Sequence, residues 1–298
     1  MIKISNLNKT FGKTKVLDNL NCNIQTNSIY GLIGANGAGK STLLRIMNDV
    51  FRKDSGSVLI DGEEVENNEK IKQKIAFLPD DLYIIPGYTL KDMAKYYQSM
   101  YQKFDMKYLE EMAKLLKLDL NKKLDNFSKG MKRQCALICI LATNAEYMFF
   151  DETFDGLDPV VRNLIKKILA KKMSDGNTTV IMTSHNLREL EDICDNLGLL
   201  YKGGIFFESD IDTLKTNMFK VQISLKGDFS EDNFKHLEPM AFKKVGSVAT
   251  VIFKGDRKNI EEELKNMKPV VLDFLSLTLE EIFIYQMEVL GYEFNQVI

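Results

Sequence analysis

Tryptophan is absent from this 298-residue chain, and histidine, cysteine and proline are scarce, at two, four and five residues. Neither sign of charge dominates: 40 Lys and Arg against 42 Asp and Glu leave a net charge of −2. No global field therefore points to nucleic acid or to an acidic lipid surface. The four cysteines, Cys22, Cys135, Cys139 and Cys194, show neither a disulfide framework nor zinc-ligand spacing. Cys135 and Cys139 would share a helix face, but with no histidine nearby they make a poor metal site. Buried, small apolar residues in a reducing compartment are expected. No apolar run approaches the ~20 residues that a membrane span needs, and Met1 to Ser5 opens no secretory leader. No internal repeat or low-complexity tract appears. What remains, 45% hydrophobic and 28% charged, is the balance of a soluble globular protein. The length suits about two domains.

The stretch that organises the chain is Gly34-Ala35-Asn36-Gly37-Ala38-Gly39-Lys40-Ser41-Thr42. It fits G-x-x-x-x-G-K-[ST], the phosphate-cradling P-loop. Ser28 to Ile33 ahead of it reads as a short buried strand, and Ser41 to Met47 behind it has the apolar spacing of a helix. Glycines let several backbone N–H groups converge on one anion, and a helix N-terminus adds positive potential. Lys40 would reach the terminal phosphates of a nucleotide, and the Ser41 hydroxyl would ligate Mg²⁺. A glycine turn with a surface lysine is the plainer alternative.

Around this core the pattern is mixed. Residues 2–7 and 20–25 alternate as antiparallel strands, with Phe11-Gly12-Lys13 in the turn between them. Gly56 to Gly62 reads as half of a hairpin, and Ile75 to Pro79 as a short buried strand. From Leu90 to Asn144 the spacing becomes helical; Met93, Tyr96, Tyr97, Met100 and Tyr101 form one apolar stripe, and Leu109, Met112, Leu115 and Leu116 another. Both are read as core. Tyr147 to Phe150 and Thr179 to Met182 are wholly apolar strands, the kind a doubly covered parallel sheet uses. Composition changes after about Lys215, and residues 216–298 read as a small α/β domain. Its last helix opens on a T-x-x-E capping box, Thr278 to Glu281, and carries a stripe including Leu279, Ile282, Phe283, Met287 and Leu290.

A P-loop alone fits kinases, GTPases, motors and transport ATPases. Asp151 and Glu152 narrow the choice, because four apolar residues run straight into them, the form of a Walker B strand. Asp151 would bind Mg²⁺ directly or through water, and Glu152 would polarise the attacking water. Between the two elements, Phe127-Ser128-Lys129-Gly130-Met131 opens a helix; Asp155-Gly156-Leu157-Asp158-Pro159 and Thr183-Ser184-His185 follow. With these motifs in one order, the chain resembles the ATP-binding subunit of an ATP-binding cassette (ABC) transporter over residues 1 to about 215, in an exporter-type group.

The resemblance implies an α/β fold: a P-loop NTPase core with a mixed sheet, an N-terminal antiparallel β subdomain, an inserted α-helical subdomain at about 90–144 and the small C-terminal domain. It also implies roles. Phe11 falls where an aromatic stacks on adenine, with Val16 beside it; Ser128, Lys129 and Gly130 fall where the signature motif touches ATP on the opposite subunit. Asp158 would couple the two sites, and His185 would hold the γ-phosphate and water. His236 reads as an ordinary core or surface residue.

Three departures stand out. Asp80 occupies the usual place of a glutamine; its carboxylate would still suit Mg²⁺, a hard cation. Lys129 replaces a signature glycine, as in exporter-type cassettes reading S-K-G-M, and Thr153 stands where proline is usual. The function implied is hydrolysis of Mg-ATP by a head-to-tail homodimer or paired cassette. It would drive a membrane permease on a separate chain, from the cytoplasm at the inner face of the cell membrane, with no nucleic acid. A soluble cassette without a permease and a non-hydrolysing ATP-binding regulator are the rival readings.

Overall fold

The computed structural model describes residues 1–154, 157–176 and 178–289. By its internal contacts the chain divides into two units, Met1–Glu208 and Ser209–Ile298. The composition change near Lys215 thus falls inside the second unit.

The first unit opens on β1 (Ile2–Phe11) and β2 (Thr14–Ile24), a hairpin longer than the two alternating stretches suggest. Phe11 is the last residue of its strand, paired with Thr14, so the turn holds only Gly12 and Lys13. Then follow β3 (Ile29–Ile33), α1 (Lys40–Met47), β4 (Ser55–Ile60), β5 (Glu63–Glu64), α2 (Glu69–Lys72) and β6 (Ile75–Leu78). Three helices come next: α3 (Leu90–Met100), α4 (Met106–Leu115) and α5 (Lys129–Ala142). The unit closes with β7 (Tyr147–Phe150), α6 (Pro159–Ser174), β8 (Thr179–Ser184), α7 (Leu187–Glu191), β9 (Asn196–Tyr201) and most of β10 (Gly204–Asp210).

Two sheets form. One is antiparallel along β2-β1-β4-β5; the other runs β10-β9-β3-β8-β7-β6, and its ladder from β9 to β6 is parallel. The largely apolar β7 and β8 lie inside the parallel ladder, buried along their whole length, as both-face coverage demands. Phe149 sits in this core with no exposed surface. Phe149→Ala is expected to cost about 3–5 kcal/mol of stability through lost burial and a residual cavity. Urea denaturation measures it, and a cost below about 1 kcal/mol would mean the core is not packed as described.

The helical segment has its own core, in which α3 and α4 pack on α5 around Leu90, Met93, Leu109 and Ile138. Only part of each sequence stripe is buried. Tyr96, Met100 and Leu115 are exposed, because each helix has one covered side and the apolar stripe is wider than it. All four cysteines are buried and unbridged, and burial pushes the thiols of Cys22 and Cys135 up to about 12.

The second unit contains α8 (Ile211–Asn217), β11 (Met218–Ser224), β12 (Ala241–Val245), β13 (Val248–Lys254), α9 (Arg257–Asn266), β14 (Val271–Leu275) and α10 (Leu279–Val289). Its antiparallel sheet runs β12-β13-β11-β14, the split-βαβ order, with one face built from Val221, Val251 and Phe253 against Phe234 and Leu264. The Thr278–Glu281 box forms: the Thr278 amide donates to Glu281 Oε2 at 3.0 Å and the Glu281 amide to Thr278 Oγ1 at 3.2 Å. Leu290 of the expected stripe lies outside the described residues.

Candidate functional site

Strand order decides what meets. Because β3, β8, β7 and β6 are parallel neighbours, the segments leaving their C-terminal ends stand side by side. Those segments carry Gly34 to Lys40, His185, Asp151 with Glu152, and Asp80. This edge is where open parallel sheets bind ligands.

The loop after β3 is close-packed at its base: a Cβ on Gly34 would lie 2.6 Å from the Leu200 carbonyl oxygen of β9. Gly39, the residue before α1, has φ +109°, open only to glycine without strain, and brings Lys40 into the first turn. Lys40 is buried, and its Nζ donates to the Gly34 carbonyl at 2.7 Å and the Ala35 carbonyl at 3.3 Å. Glu152 Oε1 lies 3.3 Å from the same ammonium.

Asp151 is buried at the end of β7. Its Oδ1 accepts from Ser41 Oγ at 3.1 Å and Thr183 Oγ1 at 2.7 Å. Its Oδ2 is buried and has no hydrogen-bond partner among the described residues. A buried carboxylate oxygen normally finds a donor. An oxygen acceptor left open beside a serine hydroxyl is the donor set a hard divalent cation takes, so these residues fit Mg²⁺.

Glu152 is held by the backbone in the left-handed region, at φ +46°. Its amide donates to Thr183 Oγ1 at 3.0 Å, and its carbonyl accepts from Arg133 Nη1 at 2.5 Å. Oε2 contacts His185 Nδ1 at 2.8 Å and accepts the His185 amide at 3.3 Å. The carboxylate therefore touches a lysine and a histidine at once.

A cavity of about 440 Å³ opens over this set, lined by Val16, Asn36, Lys40, Thr42, Asp80, Glu152 and His185 among others. A larger one, about 570 Å³, lies among Asp61, Lys103, Glu146 and Tyr147 at the N-terminal ends of β7 and β8. Among its charges, Lys103 pairs with Glu146 at 3.1 Å and Asp61 with Lys74 at 2.8 Å. Size does not mark the site; the convergent unpaired acceptor does.

Other expected residues stand elsewhere. Phe11 is exposed at the end of β1, edge-on to Phe51 at 5.6 Å, and does not line the cavity, whereas Val16 does. Ser128 caps α5, accepting the Met131 amide at 3.2 Å, and Lys129 and Gly130 begin that helix; none lines the cavity. Asp158 caps α6 by accepting the Val160 and Val161 amides, both at 3.0 Å. Asp155 and Gly156 lie outside the described residues. Asp80 reaches the cavity, but its Oδ1 accepts from Arg133 Nη2 at 2.7 Å. Sequence reading missed Arg133 and Thr183, since neither belongs to a residue type that its motif marks as functional.

The sequence profile of the family described as ABC transporter matches residues 17–155. The chain is similar to the ABC transporter ATP-binding protein YtrB of Bacillus subtilis, 30% identical over 288 residues, covering 95% of this chain and 97% of that protein. It is 32% identical over 213 residues to the lantibiotic transport ATP-binding protein SrtF of Streptococcus pyogenes, covering 71% of this chain and 92% of the other. A solved dimeric structure of a bacterial ABC transporter cassette superposes with TM-score 0.65 at 25% identity, over 71% of this chain and 99% of that one.

Proposed function

Since the chain belongs to the ATP-binding proteins of ABC transporters, ATPases that power membrane transport, we propose that it hydrolyses Mg-ATP between two cassettes arranged head-to-tail and drives a permease carried on another chain. The observation that carries this reading is the set of Lys40, Ser41, Asp151, Glu152 and His185, joined by an ion pair and by hydrogen bonds that run through Thr183. Lys40 would exchange the Gly34 and Ala35 carbonyls for the β- and γ-phosphates, with the amides of Ala35 to Thr42 around them. Ser41 and Asp151 would hold Mg²⁺, whose chemistry is neutralisation of charge on the phosphate oxygens. Glu152 would accept a proton from the attacking water, and His185 would keep that carboxylate aimed.

The second cassette would supply Ser128, Lys129 and Gly130 at the γ-phosphate, and Asp158 would join the two sites. Ser128 supports this by its exposure at the start of α5, outside the lining of its own chain's cavity. Phe11 is exposed, as a ring awaiting adenine would be, with Val16 on the cavity wall. Among the described residues no helix is long and apolar enough to cross a membrane. The transport path would lie in the permease, with this chain at its inner-face side. The motif Ser128-Lys129-Gly130-Met131 supports export as the direction.

Asp151→Asn tests the metal assignment. Mn²⁺ affinity of the ADP-loaded protein, read by electron paramagnetic resonance, is expected to fall at least about tenfold, with loss of turnover. Unchanged affinity would place the metal elsewhere.

A further inference from the structure

The Arg133 side chain is only 3% exposed, yet it belongs to α5, the helix that Ser128 opens, and not to a nucleotide-binding loop. It makes three donations. Nη1 reaches the Glu152 carbonyl at 2.5 Å; Nη2 reaches the Asp80 carbonyl at 2.8 Å and Asp80 Oδ1 at 2.7 Å. Among the described residues Asp80 is its one ion-pair partner, on a side chain that is itself 52% exposed. A buried guanidinium stripped of its counter-charge is costly, so an acidic residue at position 80 does something a neutral amide there would not.

The beneficiary is Glu152. A non-glycine residue with positive φ is held there only if its surroundings over-determine it. Here the holds are two hydrogen bonds on either side of the residue: its amide on Thr183 and its carbonyl on Arg133. Release of the carbonyl would let the carboxylate swing from Lys40 and His185. Meanwhile the buried acceptor left open at the site is Asp151 Oδ2, whereas Asp80 is half exposed and turns its Oδ1 to Arg133.

We propose that Asp80 and Arg133 form a positioning pair, Asp80 anchoring the guanidinium and Arg133 fixing the Glu152 backbone, so that Asp80 serves the geometry of Glu152 and is not a metal ligand. This rests on Glu152 as the proton acceptor proposed above. It also accounts for the departure at position 80 that the sequence alone leaves open.

The test uses the full chain with Asp80→Asn, Asp80→Glu, Arg133→Lys and the Asp80→Asn/Arg133→Lys double variant. Three quantities are read: kcat, KM for ATP, and Mn²⁺ affinity in the presence of ADP. Each of Asp80→Asn and Arg133→Lys is expected to lower kcat by about 10–100-fold with KM changed less than about threefold, the mark of lost orientation. The double variant falls no further than the worse single one, because both break one link. Asp80→Glu retains more activity than Asp80→Asn, and Mn²⁺ affinity stays within about twofold throughout. If Arg133→Lys fails to fold, the half-exposed Asp80 variants carry the comparison. A tenfold or greater loss of Mn²⁺ affinity in Asp80→Asn, rescued in rate by excess Mg²⁺, would overturn the proposal in favour of a metal ligand, on the scale of a lost ligand. Multiplying effects in the double variant, or an unchanged kcat, would overturn it too. If the unmodified chain neither binds Mn²⁺ with ADP nor hydrolyses ATP, the ATPase reading falls and takes the pair with it; a working parent with those contrary variants removes the pair alone.

Discussion

Glu152→Gln is expected to reduce Mg-ATP turnover by about three orders of magnitude while nucleotide still binds, the scale of a lost general base. The substitution keeps size and shape. The amide oxygen at this position can still accept from the His185 amide, while the ion pair with Lys40 is given up, so that lysine keeps its Gly34 and Ala35 carbonyl contacts. The backbone also survives, since Thr183 and Arg133 hold main-chain atoms that the change does not touch. What is lost is the ability to take a proton. One negative charge beside the γ-phosphate position goes with it, which favours retention of the anionic nucleotide. The variant should therefore accumulate as an ATP-loaded dimer, seen as a doubling of mass by light scattering with excess ATP. Turnover close to that of the unmodified chain would remove Glu152 from the chemistry. Loss of turnover with loss of ATP binding would make it a structural residue of the loop, held to Lys40 for stability alone.

The parts of this site that are legible in the sequence are those a short stretch encodes by itself. Gly34 to Thr42 carries its own backbone requirements, and the apolar run into Asp151 announces a buried strand with a carboxylate at its end. Arg133 is invisible by that route: its partners stand 53 and 19 positions away, and only the neighbouring of β6 and β7 brings them to one guanidinium. Thr183 is similar, a residue of an apolar strand whose hydroxyl serves Asp151 and Glu152 together. The stripes in α3 and α4 over-predict burial because periodicity gives a direction on a helix, not the depth of what covers it; Tyr96, Met100 and Leu115 lie on the uncovered margin. The edge strand β12 escapes notice because Lys243 and Lys244 interrupt its alternation, as charges on an edge commonly do. Phe11 was assigned by position alone, and its side chain lies against Phe51.

A second large effect tests the pairing of cassettes directly. Lys40→Ala is expected to abolish turnover by removing the charge that the phosphates would meet, and Ser128→Arg by placing a bulky side chain at the exposed start of α5. Neither homodimer has an intact site if each site takes its P-loop from one chain and its helix start from the other. Mixed together, the two variants should regain activity. In a mixed dimer one site joins the unaltered Lys40 of one chain to the unaltered Ser128 of its partner, while the other site carries both changes. With random pairing half the dimers are mixed, each with one working site, so about a quarter of the unmodified rate is the ceiling. A smooth, parabolic dependence on mixing ratio, greatest at equal amounts, would accompany it. Ser128 stands at the head of a helix whose own chain places nothing against it at the cavity, which is why complementation is the decisive form of the experiment. A Ser128→Arg variant that keeps full turnover alone, or a mixture as inactive as its components although both fold and Ser128→Arg still binds ATP, would mean that each cassette works without the other's helix.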